Sequence, residues 1–292
     1  MKKVLCLALC LLLLPVLPAL SEEGDMPAPS HAEAALRPGE TWDCGVSALS
    51  WDCDAPEVVS VSGSVVTGLE EGFATLCAQL PDGGEYWLDV TVSADAMPML
   101  ISSAVRFALQ EWQSSLGQTF SDRNKYTAWY CGKGEKCHFG WCGAFVNYCL
   151  DTMGVPMDEP YDSVPHENGE SYAVYAAGVG KILTGFTRME RLARIPRPGY
   201  LVIYGQRDRY NTIHIGMVTD VRLREDGTYS VQTVEGNMSN RIKRYNYCYD
   251  PADTTEHNMS MLPEEEQTAP DTFQYKVQQS DWFVYTFCAT YL

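Results

Sequence analysis

Basic side chains are scarce in this chain. Its 292 residues hold 21 Lys and Arg against 38 Asp and Glu, a formal net charge of −17. A surface so short of cations offers no footprint for a phosphate backbone, which excludes nucleic acid as a partner. It also disfavours adhesion to anionic lipid or polymer through charge alone. A solvated acidic surface explains the balance by itself. Long apolar runs are missing as well: past residue 20 no stretch reaches the ~20 residues that a spanning helix needs. There are no internal repeats, and histidine is limited to five residues. A search for an imidazole with a chemical role is therefore short.

The first twenty-one residues read "MKKVLCLALCLLLLPVLPALS". A basic start, an apolar stretch and small residues before Glu22 make residues 1–21 a secretory signal peptide. Pro15 and Pro18 argue against a retained anchor, and the large Leu9 before Cys10 argues against a lipoprotein signal. Cleavage there removes Lys2 and Lys3 and no acid, so the mature chain is more acidic by two charges. The expected product is secreted, with no stable membrane insertion after cleavage. Of the 11 cysteines, Cys6 and Cys10 leave with the leader, and the remainder is odd. At least one thiol stays outside any intramolecular pairing, while the other eight could form up to four bridges in an oxidising compartment.

Residues 22–32 form a polar linker with two prolines. From 33 to 94 short β-branched runs alternate with Gly, Pro and Asp. "PDGG" marks a hairpin and "YWLDVTV" alternates apolar with polar residues, as in a small β-sandwich. After Pro98 the pattern turns helical: Leu100, Ala104, Phe107, Ala108, Glu111, Trp112 and Leu116 recur at helix spacing and Gly117 ends the run. A second helix is predicted over 141–153, with Phe145, Val146, Cys149, Leu150 and Met153 on one side. Strands follow at 200–204, 213–221, 229–236 and 282–292. Helices first and strands later is an α+β order. Residues 250–271 carry seven acids and no Lys or Arg, which reads as a solvated, disordered loop.

Within "HFGWCGAFVNYC" (138–149) two cysteines share one helix, and position separates them. Cys142 falls at its start, where unpaired N–H groups favour an anion. A thiolate stabilised there and paired with an imidazole is a nucleophile. Cys149, two turns on, is a core or disulfide cysteine. His31, His166 and His257 lie in linker or loop, and His138 in a glycine-rich loop. His214 sits inside the strand "TIHIGMV", on the same face as the small Gly216, and is the candidate base; a hydrogen-bonded core histidine is the plain alternative. The turn "DG" at 226–227, taken as a two-residue hairpin, pairs Val218 with Glu235 and Gly216 with Asn237. Both then share the face of His214, with Asn237 about 7 Å from its row and Glu235 about twice as far. On that register Asn237 is at least as good an orienter of the imidazole as Glu235. A one-residue bulge would invert the faces. Zinc finds no site, because the spacing from Cys131 to Cys137 misses the usual knuckle and no second pair completes it. A Cys131–Cys137 disulfide suits an exported protein better.

Two resemblances rest on these segments. "APEVVSVSGSVVTGLEEGFATLCA" resembles the bacterial Ig-like domains of surface proteins. "GWCGAFVNYC", "PGYLV", "HIGMV" and "VEGN", in that order, resemble the CHAP family of cysteine amidases and peptidases, relatives of NlpC-like enzymes in the papain-like class. Tyr200 stands where that family usually has Asp. The resemblance implies two domains: an all-β Ig-like sandwich at 33–94, and an α+β CHAP domain at 95–292 with its N-terminal helices packed on an antiparallel sheet. It implies Cys142 as nucleophile, His214 as base and then acid, Glu235 as the usual third residue and Asn237 in the site. Tyr126, Trp129 and Trp141 become candidates for a substrate cleft. Calcium is not expected, because the loop before Cys142 holds one acid, Glu135, and two lysines. No cofactor is implied. The expected substrate is peptidoglycan, cut at an amide or peptide bond, and the expected location is extracellular, at or near the cell wall. A catalytically silent wall-binding protein and a secreted protease acting on proteins are the rival readings.

Overall fold

A computed structural model of the protein describes residues 31–132, 139–161, 171–207, 209–267, 272–274 and 281–292. The expected signal peptide, most of the expected linker, and residues 133–138, including Glu135, Cys137 and His138, lie outside them, as does His166. The chain divides into two compact units, one ending at Ala96 and the other spanning Met97–Leu292.

The first unit holds β1 (His31–Leu36), β2 (Thr41–Asp43), β3 (Ser50–Cys53), β4 (Val59–Ser62), β5 (Val65–Gly68), β6 (Gly72–Gln79) and β7 (Glu85–Val92). They form a sheet in the order β1-β7-β6-β3 and a second in the order β2-β5-β4. Alternation sets the register: Ala74 pairs Val90 and Leu76 pairs Leu88 on the buried face, while Cys77 pairs Trp87 on the other. The linker is shorter than 22–32 at its end. His31 and Ala32 already belong to β1, which runs parallel to β7 and covers its edge.

The second unit opens with α1 (Met99–Ser114), α2 (Lys125–Cys131) and α3 (Cys142–Thr152), followed by β8 (Met157–Asp158), β9 (Ala173–Val174), α4 (Val179–Arg188) and β10 (Leu192–Ala193). Then come β11 (Leu201–Gln206), β12 (Arg209–Leu223), β13 (Tyr229–Glu235), β14 (Lys243–Tyr249), β15 (Met259–Ser260), β16 (Thr272–Gln274) and β17 (Trp282–Cys288). The main sheet runs β10-β17-β11-β12-β13-β14-β15, with β16 added in parallel to β14. Sequence pattern alone leaves α2, α4 and β14 unseen. Asn124 starts α2 with a capping box, its side chain accepting from Tyr126 and Thr127 N–H groups.

Three expectations need correction. In α1, Leu100 and Leu116 are 41 % and 53 % exposed, while Ile101 and Val105 are buried. Ala104, Ala108 and Glu111 are buried as predicted, and Leu116 lies past the helix end at Ser114. The acidic segment is not a free loop over its described part, 250–267. Met259 and Leu262 are buried there. The Asn258 amide donates to Val284 O and accepts from Val284 N–H, at 2.8 and 3.0 Å. Residues 268–271 lie outside the described set. Lastly, Cys44, Cys53, Cys77, Cys142, Cys149, Cys248 and Cys288 are all free thiols, and Cys131 is disulfide-bonded. Four bridges are therefore excluded, and Cys137 of the expected bridge lies outside the described residues.

Candidate active site

The core of the second unit is α3 laid against the sheet. Ala144, Phe145, Val146, Cys149 and Leu150 are fully buried with Ile203, Ile215, Met217 and Val234. That packing fixes where the first residue of α3 points. Cys142 is that residue, 6 % exposed, on a helix whose N-terminal groups receive no side-chain cap. Its thiol is drawn below the ordinary value of 9.0. Burial alone would raise it, but a bond from His214, the imidazolium charge, and the N–H groups of Gly143 and Ile215 outweigh that. Cys149, on the same helix, is pushed well above 9.0 by burial and by the charge of Glu111. One helix thus carries one activated and one inert sulfur.

His214 comes from β12 and is 5 % exposed. Its Nε2 lies 2.9 Å from Glu235 Oε2, which leaves Nδ1 for Cys142. The imidazole is raised from 6.5 to about 10: burial opposes the charge, while Cys142 and then Glu235 favour it. Together the two directions describe a thiolate–imidazolium pair backed by a carboxylate. Glu235 is fully buried, a position that an anion holds only when its oxygens are occupied. Oε1 accepts from Tyr204 Oη at 2.8 Å and Thr233 Oγ1 at 2.7 Å, and Tyr204 Oη lies 3.2 Å from Tyr247 Oη. The Tyr204 ring stacks on His214 at 6.0 Å, and Trp282 lies 5.4 Å from it.

The β12–β13 register explains why Glu235 and not Asn237 reaches the imidazole. The turn contains three residues, Glu225-Asp226-Gly227: Arg224 N–H donates to Thr228 O, and Gly227 has φ +84°. That odd loop inverts the faces relative to a two-residue turn. A bulge between Val218 and Asp220 inverts them again. Two inversions restore the face but slide β13 by two residues. Met217 pairs Val234, and one step further Glu235 falls beside Gly216. A Cβ on Gly216 would stand 2.6 Å from Glu235 Cγ. Gly216 is therefore the gap through which Glu235 crosses to His214. Asn237 (φ +62°) makes no hydrogen bond to the imidazole and lines the cleft instead. The expectation that it orients His214 at least as well as Glu235 is corrected by this slide.

The cleft over Cys142 and His214 has a volume of about 450 Å³, with Gly140, Gly178, Asn237 and Trp282 among its walls. The Ala177–Gly178 wall is held by α3 itself. Asn147, fully buried, donates to Val174 O and Ala176 O at 2.6 and 2.7 Å. A Cβ on Gly143 would meet Ala177 O at 2.2 Å, so no larger residue fits there. The proposed cleft aromatics are placed elsewhere. Trp141 is fully buried between Phe120 and a stacked Tyr126, whose hydroxyl donates to Glu111 at 2.7 Å. Trp129 donates its indole N–H to Asp151 and packs on Tyr175. Large apolar rings beside a helix start are better buried than hydrated, and these rings form the support of α2 and α3. Trp282 takes the cleft position.

Residues 132–237 match the family model of the CHAP domain. The chain carries a CHAP domain. The match runs from Gly132 to Asn237, so Cys142, His214 and Glu235 all fall inside it. This supports a hydrolase of the amidase or peptidase kind. Tyr200, which replaces the usual Asp, is buried with its ring 5.1 Å from Tyr291. No curated protein and no solved structure matches the chain. Tyr204, Thr233 and Trp282 were not singled out from sequence. Thr233 could have been, since it shares the face of Glu235 two residues on; Tyr204 is disguised by the apolar run "YLVIY".

Proposed function

We propose that the protein is a secreted cysteine hydrolase that cuts amide or peptide bonds in peptidoglycan. One observation carries the reading: a thiol at a helix start, an imidazole and a fully buried carboxylate meet in sequence at the floor of an open cleft. In the proposed reaction the Cys142 thiolate attacks the substrate carbonyl carbon. The developing oxyanion faces unpaired N–H groups at the start of α3. His214, protonated by the pairing, gives its Nδ1 proton to the leaving amine, and the C–N bond breaks to leave a thioester. His214 then takes a proton from water as it attacks, and the thiolate returns. Glu235 holds the ring and its charge throughout. The N-terminal β unit, two sheets of seven strands in all, is proposed to be an Ig-like spacer or wall-contact module.

Incubating the mature protein and its Cys142→Ala variant with cross-linked peptidoglycan tests this, with soluble products read by mass spectrometry. Whole stem peptides with new N-terminal amines, from the native protein only, mean an amidase. Shortened stems or opened cross-bridges mean an endopeptidase. Identical profiles from the two proteins across several wall types would overturn the hydrolase reading.

A further inference from the structure

The cleft does not end at the nucleophile. Past Gly140, Ala177 and Gly178, which line both spaces, it opens into a groove of about 610 Å³ walled by Tyr130, Phe139, Tyr161 and Lys181. Phe139 and Tyr130 pack edge to face at 5.7 Å. The Tyr161 wall is fixed from α4: Arg188 donates to Tyr161 O and lies over its ring at 5.4 Å. Lys181 and Arg188 are seven residues apart and so share one face of α4, a helix with no acidic residue.

Among the described residues Lys125, Arg207, Arg222 and Arg224 are each held by a carboxylate, and Lys181 is not one of them. Lys181 has no side-chain partner among the described residues, and neither do the hydroxyls of Tyr130 and Tyr161. Among the described residues no lining residue of the groove is acidic, although the chain holds 38 acids. A solvent-facing ammonium and two phenol hydroxyls, with no anion among the described lining residues, are a donor set for a carboxylate, and the rings offer area for an apolar stem.

We propose that this groove is a subsite for the acidic part of the substrate peptide. Lys181 binds a free carboxylate on the chain whose scissile carbonyl sits at Cys142, and Tyr130 and Tyr161 pack the carbon stem beside it. The inference rests on the hydrolase reading for the placement of that carbonyl. It sets a substrate class: peptides with a free carboxylate are preferred over the same peptides amidated.

Two synthetic peptidoglycan stem peptides, identical except that one carboxylate is a carboxamide, test it. Binding is measured by calorimetry on the Cys142→Ala protein, and turnover on the native protein. The acid should bind about fivefold tighter at low salt, an exposed ion-pair magnitude, with the preference fading as salt rises. Lys181→Gln should erase the preference, Lys181→Glu should invert it, and Lys181→Arg should keep it. Equal binding of the two peptides, binding of neither, or a preference that survives Lys181→Gln would overturn the subsite. Turnover of both peptides with equal KM removes the subsite and leaves the hydrolase. Acid-selective binding with no turnover of either peptide removes the hydrolase and leaves the subsite.

Discussion

The two units bury different things. In the first, every buried side chain among the described residues is apolar, from Leu36 and Val66 to Leu76, Leu88 and Val90. The second buries Glu111, Asn147, Arg191, His214 and Glu235 as well. Both are built on sheets and both hold free cysteines, so neither strand content nor thiol content separates them. The difference is that a buried polar group is costly unless its bonds are met, and around Glu235 the second unit meets them. Three oxygen and nitrogen donors close on Glu235, and Asn147 closes on the cleft wall. The first unit is built on apolar pairs; the second accepts the desolvation of a buried carboxylate and surrounds it.

The largest way to break this contrast is Glu235→Gln. The amide fits the same space, but it removes the anion that sustains His214 as a cation. Hydrolysis should fall by about 10²-fold, the scale of losing a positioned acid–base partner. The pH profile gives the sign. Activity requires the thiolate, which forms below the ordinary 9.0, and the imidazolium, which persists above the ordinary 6.5. The native profile should therefore be a bell, with its alkaline limb set by His214. Loss of the Glu235 charge should move that limb to lower pH. An unmoved limb would mean that Glu235 is only a packing residue.

Gly216→Ala attacks the same carboxylate from the backbone. The new methyl would lie 2.6 Å from Glu235 Cγ, so the Glu235 side chain must shift away from His214. About a tenfold loss of kcat is expected, with a stability cost of about 1–3 kcal/mol for overpacking. Stability loss with full kcat would show that the imidazole needs no fixed partner.

Such a residue also marks how far the sequence could be read. The meeting of Cys142 with His214 was legible because each position depends on local pattern: Cys142 on a helix start, His214 on an apolar strand. Most strands were legible from β-branched runs and turn residues. The register was not, because it depends on a three-residue turn and on a bulge near Thr219, and neither leaves a clear mark in composition. The face of Glu235 came out right because two errors of one residue cancelled, while its distance came out wrong. Tyr126 and Trp141 were misplaced for a related reason. An aromatic near a nucleophile in sequence reads alike whether it faces the cleft or the core, and tertiary packing decides. α4, which carries Lys181, was hidden by its three neighbouring glycines, Gly178, Gly180 and Gly185, which lower helix propensity.

Thiol reactivity sharpens the contrast between units more gently. Burial raises Cys44, Cys53 and Cys77 above 9.0, with nearby acids adding to it, while the pairing with His214 lowers Cys142. Alkylation by iodoacetamide followed by peptide mass spectrometry should therefore label Cys142 first at neutral pH, with a midpoint below 9.0. The three thiols of the first unit should follow only at higher pH. Simultaneous labelling would deny Cys142 its activation.

The smallest effect on hydrolysis is expected from Leu88→Ala, and it tests whether the apolar unit is separate in its energetics. Leu88 is fully buried opposite Leu76 in the sheet of the first unit. Its truncation should cost that unit about 2–5 kcal/mol through lost burial and the cavity left behind. Among the described residues none of the Cys142–His214–Glu235 group or of its cleft lies before Ala96, so kcat/KM on short peptides should stay within error of the native value. Calorimetry should show one transition moving to lower temperature and a second left in place. If both transitions move together and activity falls, the two units unfold as one body, and the division between an apolar scaffold and a polar catalytic unit describes their composition but not their stability.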